Sequence, residues 1–258
     1  MKLAITGKGG VGKTTLAAGI AQRWAEEGRA VLAVDADPTN SLAAALGFPP
    51  DLSAQIVPLS ERHDLIEERT GAKPGTVGGF FRLNPKVDDL AERLAVAHRG
   101  VRLAVMGTIS LGGSGCACAE NTLLRSFLAH LFVGPEERVV VDMEGGIEHL
   151  GRRTAEKVSA MVAVVEPSSQ SCAVARKIIK LAGDIGQHRV LIVGNRIRSA
   201  EEEALLRSFF PAEQLLGFLP YDEAVRLTEL KGEAPYEGSP LFRERIAALV
   251  GQLELRLG

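Results

Sequence analysis

Gly7-Lys8-Gly9-Gly10-Val11-Gly12-Lys13-Thr14-Thr15 is the stretch on which the reading of this chain turns. Its frame, Gly7-x-x-x-x-Gly12-Lys13-Thr14, is that of a phosphate-binding loop, in which backbone N–H groups at the start of a helix surround phosphate oxygens. Such a loop bends through positive φ and brings bare backbone against its ligand, so glycine is the residue type it needs. In this pattern Lys13 meets the terminal phosphates of a nucleotide and Thr14 meets Mg²⁺, while Gly9, Gly10, Val11, Gly12 and Thr15 complete the cradle. Lys8 has no place in that chemistry.

Working outward, Leu3-Ala4-Ile5-Thr6 is a short apolar run fit for a buried strand, and Thr14 to Glu27 reads as a helix, so strand, loop and helix follow in the required order. Further β-type runs at Ala30–Val34, Arg102–Met106, Arg138–Val141, Ala160–Val165, Val190–Val193 and Leu216–Leu219 alternate with helical stretches. That alternation predicts an α/β fold of the P-loop NTPase kind, a doubly wound, mostly parallel sheet with helices on both faces. Asp35, Asp142, Glu166 and Asn195 follow strand runs and fall at the carboxyl edge, where ligands of open α/β sheets collect. No linker divides the chain, which is expected as one domain over residues 1–258 with an irregular insertion at about 48–84, holding Pro49-Pro50 and the glycine-rich stretch from Gly71 to Gly79.

Composition narrows the class. The 258 residues are 46% hydrophobic and 24% charged, with net charge -2 and pI ≈ 6.3, so no electrostatic footprint for nucleic acid is present. There is no apolar run of 18 or more residues, and the first strand follows directly on Lys2. The expectation is a cytoplasmic protein without a spanning helix.

Two acidic segments supply the remaining nucleotide chemistry. Asp142 ends a strand and is assigned to Mg²⁺ through water, since that hard cation keeps part of its hydration shell. Asp37, in Asp35-Ala36-Asp37-Pro38, is assigned to orienting the attacking water, and Asp35 to supporting the Mg²⁺ shell. A helix cap or a solvated loop carboxylate is the competing reading for each.

Lys8, Asp35-Ala36-Asp37-Pro38, and Asp142 followed by Gly145-Gly146 make the chain resemble the deviant P-loop ATPases, which include the nitrogenase iron protein and the partition and division-site ATPases. The resemblance implies an ATP- and ADP-binding homodimer in which Lys8 reaches the partner's phosphates, so that Lys8, Lys13 and Asp37 form the catalytic set. A cation brought across in this way acts on the transferring phosphoryl group as an arginine finger does. The resemblance also implies nucleotide contacts from Asn195, Arg196 and Pro220, with Arg196 standing where related chains carry lysine.

Gly112-Gly-Ser-Gly-Cys116-Ala-Cys118-Ala-Glu-Asn121 narrows the branch. Only three cysteines occur, and residues two apart face one side of a strand, so Cys116 and Cys118 can offer two thiolates together. Four thiolates suit Zn²⁺ or Ni²⁺, and a twofold interface turns two into four. The bland alternative is that both are small loop residues, as Cys172 is expected to be a core residue. His63 and His149 read as solvated side chains.

This Cys-x-Cys arrangement, together with Asp142 to Leu150, Asn84-Pro-Lys-Val-Asp88 and Leu181-Ala-Gly-Asp184, is similar to the nickel-insertion ATPases that mature carbon monoxide dehydrogenase, the CooC type. The resemblance implies delivery of nickel to a client nickel enzyme, driven by ATP hydrolysis. The spacing of the nitrogenase iron protein's cluster cysteines is not offered by Cys116 and Cys118. A different class of function rests on Leu241–Leu257, an amphipathic stretch with Arg243, Arg245 and Arg256 of the kind that partition-type switches use on membranes. Glu244 and Glu254 dilute its charge, and a helix packed on the sheet is the expected structure.

Overall fold

The computed structural model describes residues 1–73, 81–107, 119–131, 138–144 and 157–258. Eight strands form one sheet in the order β3-β4-β2-β5-β1-β6-β7-β8. They are β1 (Lys2–Gly7), β2 (Val31–Ala36), β3 (Val96–His98), β4 (Val101–Val105), β5 (Arg138–Met143), β6 (Ala160–Val165), β7 (Val190–Ile197) and β8 (Leu215–Pro220). All pairings are parallel except β3 with β4, so the carboxyl ends of seven strands share one edge.

The seven apolar runs of the sequence correspond to these seven parallel strands. β3 is an addition, a three-residue antiparallel edge too short for its alternation to be read from sequence.

The strands' period of two divides the core. Leu3, Ile5, Ala33, Val140, Val162 and Val193 face one side, where the helix α1 (Lys13–Glu26) brings Leu16, Ile20 and Trp24, all fully buried. Ala4, Val34, Ala104, Val141 and Ala163 face the other side, under the helices Ala119–Leu131 and Ser169–Asp184. Cys172 sits in this second layer with no exposure, as a core residue.

The C-terminal helix Pro240–Leu257 lies on α1 and β8 and buries Phe242, Ile246, Leu249, Val250 and Leu253. Its apolar face, including its one large aromatic residue, is thus taken up inside the fold. No described helix is long and apolar enough to cross a membrane.

The described part of the 48–84 segment, residues 48–73 and 81–84, includes helical turns. It contains the short helix Pro50–Ser53, a 3-10 turn at Leu59–Glu61 and the helix His63–Thr70, and it places Leu59, Leu65 and Ile66 in the second core layer. Charged residues interrupt its apolar positions, so its helical period is masked in sequence. His63 is exposed, in line with a solvated side chain.

Candidate nucleotide site

The shared edge gathers the functional side chains by simple parity. In β2 and β5, Asp35 and Asp142 occupy the same face as Ala33 and Val140, the face covered by α1, and the two aspartates are paired in register. Asn195 shares the face of Val193, and Glu166 continues the face of Val164. Each of these polar groups therefore comes out of its strand toward the loop that starts α1.

That loop has the expected handedness. Gly10 and Gly12 have φ of 79° and 94°, and a Cβ on Gly12 would collide with the Asn195 amide. Asn195 donates from Nδ2 to the carbonyl of Val11 at 2.7 Å. Arg196, itself at φ 58°, donates to the Gly10 carbonyl at 3.0 Å and pairs with Glu166 at 2.8 Å. Lys8 donates to Gln170 Oε1 at 2.7 Å.

On the other side of the loop, the Lys13 ammonium lies 3.8 Å from Asp37 Oδ2 and is almost wholly buried. Asp37 Oδ1 accepts from the backbone N–H and the hydroxyl of Thr39, at 3.0 and 2.8 Å. Asp35 is fully buried, and its two oxygens accept the N–H groups of Asp37 and Leu42 at 3.1 and 2.9 Å. The contacts that Asp35 makes here organise the loop from Asp37 to Leu42.

Thr14 donates its hydroxyl to Asp142 Oδ2 at 2.5 Å, and Asp142 Oδ1 is buried without a hydrogen-bond partner. Burial pushes the Asp142 carboxyl up to about 7, with nearby Asp35 adding to the shift and the Thr14 hydrogen bond opposing it. Burial likewise raises Asp35 to about 6. An orphaned buried carboxylate oxygen beside a hydroxyl is a donor set that fits Mg²⁺, which takes hard oxygen ligands.

Beside the loop lies a cleft of about 510 Å³, lined by Gly12, Thr15, Asn195, Arg196, Pro220 and Tyr221 among others. It is large enough for a nucleoside and continues directly into the phosphate cradle. Arg196, expected among the nucleotide contacts, lines this cleft, and its described hydrogen bonds go to Gly10 and Glu166. Arg196 is therefore held as a brace on the loop.

The sequence reading did not single out several residues here. Arg198 stacks over the Tyr221 ring at 3.9 Å, and Thr15 donates to Glu229 at 2.6 Å from a helix more than two hundred residues away. Gln170 could have been found, because Ser168-Ser169-Gln170-Ser171 opens a helix just after a strand and so belongs to the carboxyl edge. Glu229 had no comparable signal. Cys116, Cys118, Gly145, Gly146, Glu148 and His149 lie outside the described residues.

The sequence pattern of the CobQ/CobB/MinD/ParA nucleotide binding domain matches residues 2–236. The chain belongs to that family. It is a P-loop ATPase. The carbon monoxide dehydrogenase accessory protein CooC of Rhodospirillum rubrum is 41% identical over 258 residues, covering 100% of this chain and 98% of that protein. An uncharacterized ATP-binding protein of Methanocaldococcus jannaschii is 46% identical over 236 residues, covering 90% of each. Among solved structures, the septum site-determining protein MinD of Pyrococcus horikoshii, complexed with Mg-ADP, superposes with TM-score 0.69 at 19% identity, over 99% of this chain and 96% of that one. A ParA family ATPase from Chlorobium tepidum gives TM-score 0.66 at 19% identity, over 98% of each. These structures bear on the fold.

Proposed function

We propose that this chain is an ATP-dependent metallochaperone that pairs with a second copy on binding nucleotide and delivers nickel, as its cargo, to carbon monoxide dehydrogenase or a related nickel enzyme. The observation that carries the reading is the full-length, 41% identical match to a carbon monoxide dehydrogenase accessory protein, in a chain that also has Cys116-Ala-Cys118.

The residues at the sheet edge support the hydrolytic half. Lys13 holds the terminal phosphates, exchanging its contact with Asp37 for phosphate oxygen, and Asp37 is thereby freed to accept a hydrogen bond from the attacking water. Thr14 and Asp142 would hold Mg²⁺, which when bound neutralises charge on the β- and γ-phosphates. Asn195 and Arg196 keep the loop in the shape that receives those phosphates. Lys8 supplies the partner's site with positive charge as the phosphoryl group transfers.

The metal half follows from ligand number. One protomer brings two thiolates, and two protomers related by a twofold axis bring the four that Ni²⁺ or Zn²⁺ accepts. ATP strengthens the pairing and hydrolysis loosens it, so nucleotide controls how firmly cargo is held. By linkage, metal and nucleotide each strengthen the other's binding.

Titration of purified protein with Ni²⁺, with and without a non-hydrolysable ATP analogue and with mass measured in parallel, tests the reading. Half a metal ion per protomer, bound more tightly with the analogue and by a species of doubled mass, is expected. Tight binding by a single protomer contradicts it.

A further inference from the structure

We propose that Arg198 holds the base of the nucleotide: its guanidinium, seated on the Tyr221 ring, gives the cleft a flat wall on which a purine stacks. The inference rests on the reading of this cleft as the nucleoside site.

Arg198 follows β7 and Tyr221 follows β8, and the Tyr221 N–H donates to the Ile197 carbonyl at 2.8 Å, so the two side chains leave neighbouring strand ends. In the sheet, β7 and β8 stand two and three places from β1. At about 4.8 Å per strand, their ends lie roughly 10 and 14 Å from the strand that feeds the phosphate loop. A nucleotide whose phosphates sit at Gly12 and Thr15 therefore extends its base toward Arg198 and Tyr221.

Three arginines line the cleft, Arg196, Arg198 and Arg226. Arg196 is paired with Glu166 at 2.8 Å and Arg226 with Glu223 at 2.9 Å. Among the described residues no carboxylate forms an ion pair with Arg198, and Glu202 accepts from its backbone N–H at 2.6 Å. The described contact of its guanidinium is the face of Tyr221, 3.9 Å from the ring centroid. That ring is itself held, because its hydroxyl donates to Glu223 Oε2 at 2.5 Å and Glu223 is the carboxylate bound by Arg226. Ring and guanidinium make one layer, and Arg198 remains exposed. A guanidinium plane stacks on nucleobases as an aromatic ring does, and its charge is drawn to an electron-rich purine face. Lysine would carry the charge without the plane.

The test is calorimetric titration with ATP and with inorganic tripolyphosphate, both with Mg²⁺, of the wild type, Arg198→Ala and Arg198→Lys. Tripolyphosphate offers the phosphates and no base. Arg198→Ala should weaken ATP binding about tenfold, the scale of one lost stacking contact, and bind tripolyphosphate as the wild type does. Unchanged tripolyphosphate affinity also shows that the variant is folded. Arg198→Lys should not restore ATP binding. Full ATP affinity in Arg198→Ala would overturn the stacking role. Rescue by lysine, or an equal loss of tripolyphosphate affinity, would overturn it too, since either makes Arg198 a charge that serves the phosphates. A wild type that binds ATP no more tightly than tripolyphosphate would instead overturn the reading of the cleft.

Discussion

The aspartates at the carboxyl edge show how one side chain serves stability and chemistry in opposition. Asp142 and Asp35 titrate at about 7 and about 6 instead of the ordinary 3.8, because burial disfavours their charged forms. The folded protein thus holds more protons than the unfolded chain in the window between. The stability these groups contribute is complete below pH 3.8 and is lost as pH rises through 6 and 7. Asp142→Asn, a neutral mimic of the protonated acid, should therefore raise the nucleotide-free Tm by about 2–4 °C at pH 8 and by clearly less at pH 5, the gain vanishing only below pH 3.8. The same variant should lose Mg²⁺-dependent hydrolysis, and melting curves at the two pH values with a turnover assay check both halves. Asp37→Asn should bind ATP, lower hydrolysis by roughly 100-fold or more, and accumulate the paired species on a sizing column. Lys8→Ala should retain nucleotide while turnover drops about a thousandfold, the scale of a cation supplied in trans.

At the scale of elements, the strand-to-helix turn and the helix behind it are fixed by steric fit. Gly12→Ala would place a Cβ on the Asn195 amide in a backbone conformation of φ 94°, and should cost about 1–3 kcal/mol while weakening nucleotide binding, readable by denaturation and nucleotide titration. Ile246, fully buried on the C-terminal helix against Gly19 of α1, anchors that helix to the fold. Ile246→Ala should cost about 2–5 kcal/mol in denaturant unfolding, since a close-packed site cannot collapse around the lost methyl groups. The seven parallel strands were legible because each is an apolar run bounded by polar residues. The parity that turns Asp35, Asp142, Glu166 and Asn195 toward α1 was implicit in those runs as well. The edge strand Val96–His98 and the helix His63–Thr70 were not, since the first is too short for a period and the second mixes charged residues into its buried face.

For the molecule as a whole, the central question is what a second copy adds. Changing Cys116 and Cys118 together to Ser should abolish binding of half a metal per protomer and leave ATP binding intact, with metal content measured beside nucleotide titration. The sequence by itself determined the fold class, the phosphate loop and the identity of its lysines, threonine and aspartates, because those depend on local spacing and on alternation along single strands. It also carried the likeness to a family, through motifs short enough to read in line. Only the tertiary structure decided that Asp35 organises a loop, that Arg196 braces the phosphate cradle, that Thr15 meets Glu229, and that Lys8 rests on Gln170. Those contacts join residues from different elements, most of them far apart in the chain, and no periodicity records which distant side chains a folded sheet will bring within hydrogen-bonding reach.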